Sequence, residues 1–188
     1  PERSIVVCYV HSRTGERTFA GRKGISDVPL LPTELDRAYI TSAGFLHLDG
    51  FHPEAALQAA RWRREAGKTV VFDGSATGSP SIDDARLGIL KYVDILICGE
   101  GYLRAWTGIS DVYAAGRDAL RRGVHTVVET QGQKGSFTTT ADESFHTPSF
   151  AVDAVDTTGA GDVFHGAYLA GLHRGWSPRE TARYASAV

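Results

Sequence analysis

From Ala43 onward, short continuous apolar runs alternate with longer segments in which apolar residues recur every three or four positions. Ala43–Leu48, Thr69–Phe72, Ile95–Cys98 and Val124–Glu129 are the short runs. Apolar runs of this length without polar alternation predict strands buried on both faces. The segments between them carry helix signals. Thr33 with Asp36 predicts a capping box for a short helix, and His52-Pro53 opens a helix that runs to Ala66 and is closed by Gly67. Ser81 is expected to cap a helix reaching about Tyr92, a short helix follows at Tyr102–Trp106, and Asp111 caps another to Arg122.

The pattern differs at both ends. Ser4–His11 alternates around Ile5, Val7 and Tyr9, and Arg17–Ala20 returns after the polar stretch Ser12–Glu16, which predicts a β-hairpin. Gly135–Thr140 and Glu143–His146 predict a small antiparallel pair. Two helices close the chain, one starting near Thr158 and one at Ser177-Pro178-Arg179-Glu180, a capping box with proline at the first helical position. Buried strands alternating with amphipathic helices predict an α/β fold with a mostly parallel sheet between two helical layers.

Composition narrows the class. The 188 residues suit one α/β domain, and 42% apolar with 22% charged is a globular balance. The net charge is −2 and the arginines are scattered, which points away from nucleic acid as a partner. No apolar stretch approaches the roughly 20 residues of a membrane span. Cys8 and Cys98 are too few and too far apart for a zinc cluster or a disulfide framework and read as buried thiols, so the cytoplasm is the expected compartment. The chain lacks both Met and Asn, starts in a strand-like run and stops in a helix-like one. It is expected to be a piece of a longer protein.

The chemistry concentrates at Asp156-Thr-Thr-Gly-Ala-Gly-Asp162, between the extended segment Phe150–Val155 and an apolar helix. Gly159 and Gly161 let the backbone turn sharply and approach a ligand closely. The first amides of a helix lack intrahelical partners and sit at the positive end of its dipole, where an anion is favoured. Asp162 falls in the same turn. A carboxylate there would repel a resting phosphate. It suits a reaction in which it takes a proton from a hydroxyl while the amides stabilise a transferring phosphoryl group. On local chemistry alone, helix capping by Asp156 or Asp162 accounts for the run equally well.

The wider run Asp-Thr-Thr-Gly-Ala-Gly-Asp-Val-Phe-His-Gly-Ala, 156–167, resembles the C-terminal signature of the ribokinase-like (PfkB) carbohydrate kinases. The earlier Val127-Val128-Glu129-Thr130-Gln131-Gly132-x-x-Gly135 resembles the same family, and the resemblance covers essentially the whole chain. It implies a three-layer α/β/α fold with part of a β lid near Ser4–Ala20. It also implies ATP-dependent transfer of a phosphoryl group to a sugar hydroxyl. Asp162 would be the base, and the amides of Gly159, Ala160 and Gly161 the anion hole. Thr130, Gly132 and Gly135 would line the nucleotide site. Asp156 and Thr158 match positions that bind a monovalent cation, usually potassium, and Mg²⁺ should accompany ATP. The lid is also the surface through which a homodimer would form.

Some features depart from the family. Many members carry Asn-x-x-Glu after the strand equivalent to Ile95–Cys98, where this chain reads Gly99-Glu100-Gly101-Tyr102. Glu100 is the candidate to replace that carboxylate, and Asp73, at the end of its strand, should face the same cleft. The substrate Asp and Gly-Gly motif of the family's N-terminal portion are missing. Leu46–Pro53 and His165 are the remaining segments that could face a sugar, although His52 also suits a helix cap and His165 a packed core position. The signature is similar to that of the sulfofructose kinases, but Phe51 stands where a sulfonate-binding Arg would be sought. A nucleoside kinase of the same fold, or an idle sugar- or nucleotide-binding regulator, fits the same residues.

Overall fold

The computed structural model describes residues 5–11, 17–22, 28–75 and 82–188. Its centre is a six-stranded sheet whose order follows the chain: β3 (Phe45–Leu48), β4 (Thr69–Gly74), β5 (Ile95–Gly99), β6 (Thr126–Thr130), β7 (Ser136–Thr140) and β8 (Ser144–Thr147). The first four are parallel, and β7 and β8 are added antiparallel. The predicted mostly parallel sheet is therefore observed. β1 (Ile5–Val10) and β2 (Arg17–Arg22) form a separate antiparallel hairpin. Ser4 and the turn 12–16 lie outside the described residues.

Both faces of the sheet are apolar because the strands alternate between two cores. Val70, Phe72, Leu96, Cys98 and Val127 point to one side, onto α2 (Pro53–Glu65), α3 (Asp84–Leu90), α4 (Tyr102–Thr107) and α5 (Val112–Arg121). Val71, Ile95, Ile97 and Val128 point to the other, onto α6 (Ala160–His173) and α7 (Pro178–Ala187). Two helical layers thus enclose the sheet, as the strand composition required.

Several element starts differ from the sequence reading. Thr33 lies in a 3₁₀ turn, Pro32–Glu34, and caps nothing. Asp36 caps α1 (Arg37–Ser42), accepting from Tyr39 N at 3.0 Å. Ser81 lies outside the described residues, and α3 is capped by Asp83, which accepts from Arg86 N at 2.8 Å. His52 occupies the N-cap position of α2, but its ring does not cap. Its Nδ1 instead accepts from Leu30 N at 3.1 Å. Asp111 and the Ser177–Glu180 capping box are as expected.

Candidate active site

The C-terminal ends of β3 to β6 meet along one edge of the sheet, the place where ligands gather in open α/β sheets. Asp73, Gly99 and Thr130 lie there on neighbouring strands, Gly99 paired with Thr130 and Asp73 with Ile97. β4 runs on to Gly74, so Asp73 is held within the ladder and does not close it.

Thr130 donates its hydroxyl to Cys98 O at 3.3 Å, tying β6 to β5. After it comes a 3₁₀ turn, Gly132–Lys134. The two glycines of this loop differ in kind. Gly132 (φ 54°) has open space where a side chain would project, so its backbone can take a ligand. Gly135 (φ 87°) faces the passing backbone, and a methyl group there would collide with the Thr147 carbonyl oxygen. Glu100 is exposed and receives Lys134 Nζ at 2.7 Å, an ion pair that links the β5 and β6 turns.

Tyr102 does not stand in for a phosphate-side carboxylate. Its ring is buried and lies against Gly74, where even a Cβ would come within 2.9 Å of it. The carboxylate inside this corner is Glu129, which sequence reasoning passed over. It is buried and accepts from Leu103 N at 3.3 Å and from Gln131 Nε2 at 2.8 Å. Burial pushes its carboxyl above the usual range. The signal was present as the single charge in the buried strand Thr126–Thr130.

On the other side of the sheet, Gly159 adopts φ 80° and starts α6. Asp162, in the first turn, is exposed. Ala160 N donates to Thr157 O at 3.2 Å, while the Gly161 and Asp162 amides take no backbone acceptor among the described residues. Of the three amides expected to form an anion hole, that of Ala160 is thus turned to Thr157 O, while that of Gly161 has no backbone acceptor among the described residues. Asp156 Oδ1 accepts from Thr158 N at 2.8 Å, bracing the turn that leads into the helix. His165 is buried at 8% exposure, and its Nδ1 is 2.9 Å from His47 Nε2 on β3. Its Nε2 lies 3.8 Å from Asp73 Oδ1. Burial pulls the His165 imidazole below its ordinary value, and the nearby Asp73 and Asp162 charges only partly offset this.

Among the described residues, no three His, Cys, Asp or Glu side chains cluster as a metal site. That is compatible with Mg²⁺, which in phosphoryl-transfer sites keeps several waters and is held by substrate phosphates with one or two carboxylates. No described helix is long and apolar enough to cross a membrane.

The model of the pfkB family carbohydrate kinases matches residues 1–188. An ATP-dependent ribose-1-phosphate kinase from Halopiger xanaduensis is 34% identical over 158 residues, covering 83% of this chain and 50% of that protein. A ribokinase from Thermotoga maritima superposes with a TM-score of 0.80 at 28% identity, over 98% of this chain and 61% of that one. A ribokinase II structure from E. coli, in complex with ATP and Mg²⁺, superposes at 0.78 with 26% identity, over 92% and 60%. The chain thus spans about half the length of the curated relative and some three fifths of these structures. It belongs to the pfkB carbohydrate kinase family.

Proposed function

We propose that this member of the pfkB carbohydrate kinase family carries the phosphoryl-transfer centre of an ATP-dependent kinase acting on a sugar hydroxyl. The observation that carries the reading is the first turn of α6. It places the exposed Asp162 carboxylate beside the Gly161 and Asp162 amides, at the positive end of a 14-residue helix.

The γ-phosphate of ATP would lie over those amides, which are fixed before the reaction and so stabilise the transferring group without reorganising. Asp162 accepts the proton of the attacking hydroxyl. Thr130 and the open face of Gly132 receive the nucleotide on the β6 side, while Gly135 shapes that loop from behind. Glu100, now paired with Lys134, is the candidate carboxylate to hold Mg²⁺, which would neutralise charge on the phosphates of ATP. The loop of Asp156 and Thr158 is the candidate site for potassium, and the β1–β2 hairpin, with Tyr9 exposed, is the candidate surface for a homodimer.

Asp162→Asn should lower kcat about 10²–10⁴-fold while ATP affinity stays within about threefold. Near-native turnover in that variant would sink the mechanism. A panel of sugars and nucleosides, read by ADP release, separates a sugar kinase from a nucleoside kinase. The buried Tyr102, where the family often carries Glu, favours one rival, a binding regulator without turnover. Tight nucleotide binding with no ADP release from any acceptor would support that rival.

A further inference from the structure

Three polar side chains meet on the α6 face of the sheet without a role in the scheme above. His47 Nε2 and His165 Nδ1 are 2.9 Å apart, their rings crossing edge to face at 85°. His165 Nε2 faces Asp73 Oδ1 across 3.8 Å, and Asp73 Oδ1 is itself fixed by Ser75 Oγ at 2.7 Å. A neutral imidazole has one N–H and one lone pair. Beside a carboxylate the N–H belongs on Nε2, because a lone pair facing Asp73 would be repelled. His165 Nδ1 is then the acceptor, and His47 must supply Nε2–H. The contact therefore has a direction, His47 to His165 to Asp73.

Its placement matters. His47 stands on β3 and Asp73 on β4, near the edge where the strands end. His165 stands three residues past Asp162, on the same side of α6. We propose that the His47–His165 pair is a tether that positions the first turns of α6, and hence Asp162, against the ends of β3 and β4. It rests on the kinase reading above. His47 and His165 are positioning residues, and neither needs to touch the reacting atoms. Apolar packing alone would seat the helix through Phe164, Ala167 and Tyr168, but it leaves rotation and sliding less defined than a directed hydrogen bond does.

The test uses the full-length protein with His47→Ala, His165→Ala, His165→Asn and the double variant His47→Ala/His165→Ala. His47 is exposed, so His47→Ala removes the donor without opening the core. Loss of the tether should lower kcat about tenfold or more while KM for ATP moves less than twofold, since small misplacement of a base costs rate before affinity. His165→Asn, which keeps an acceptor near Nδ1, should recover part of the loss relative to His165→Ala. The double variant should be no slower than the slower single variant, the signature of a shared interaction. Single variants with native kcat, or a double variant whose loss is the product of the two, would overturn the tether. Amide exchange at residues 160–164 gives an activity-independent reading. Faster exchange in His47→Ala supports the tether, and unchanged exchange refutes it. If the wild-type protein transferred no phosphate, the kinase reading would fail, while this exchange measurement would still decide the tether.

Discussion

Arg63 has no accessible surface, yet its two terminal nitrogens reach four carbonyls, those of Ile40 (3.3 Å), Ala43 (2.7 Å), Gly44 (2.8 Å) and Thr69 (2.8 Å). One guanidinium thereby joins the end of α1, the entry to β3 and the start of β4. Arg63→Leu would leave those acceptors without a donor and should cost about 3 kcal/mol or more, read as a lower urea midpoint at unchanged slope. Arg63→Lys should lie between the two, because a point charge cannot span the same fork. In sequence, Arg63 is one arginine among several in a helical segment. Its burial was not legible because helix α2 has apolar and charged residues close together, and only the packing decides which Arg turns inward.

Local spacing made most elements readable. Four parallel strands came from four apolar runs, and their alternation between two cores is what a sheet covered on both faces demands. Helix starts were read less reliably. At Thr33–Asp36 and Ser81–Asp84 several capping residues lie within a few positions, and the one used is set by where the chain must enter the layer. At Asp111 the reading and the structure agree even though Ser110 stands beside it, with Ala114 N held at 2.7 Å. Asp111→Ala should destabilise the protein by about 1 kcal/mol, measurable as a lower thermal midpoint with the activity of the remaining folded protein unchanged. The α6 contact with β3 was not legible, because it joins residues 118 positions apart.

Across the whole molecule, two buried ionisable groups set opposing pH trends. His165 binds its proton less readily when folded than its ordinary value of 6.5, so its share of stability is present above that pH and is lost as pH falls below it. Glu129 binds its proton more readily than its ordinary 4.5, so its share is present below that pH and is lost as pH rises through the raised value. His165→Asn should therefore flatten the loss of stability on acidification below about 6.5, and Glu129→Gln should flatten the loss on raising pH above about 4.5. Urea titrations at several pH values read both slopes. The proposed reaction centre could be read from the signature run, since its glycines and Asp162 lie together in sequence. Glu129, His47 and Asp73 come from three separate strands and could be assembled only by folding.

The strict chain order of the central sheet, β3 through β8, bears on how the protein is made. A nascent chain leaving the ribosome can add each strand to an edge already present, with no later segment needing to insert between earlier ones. α6 and its Asp162 emerge only after all six strands, so the scaffold can form before that carboxylate arrives.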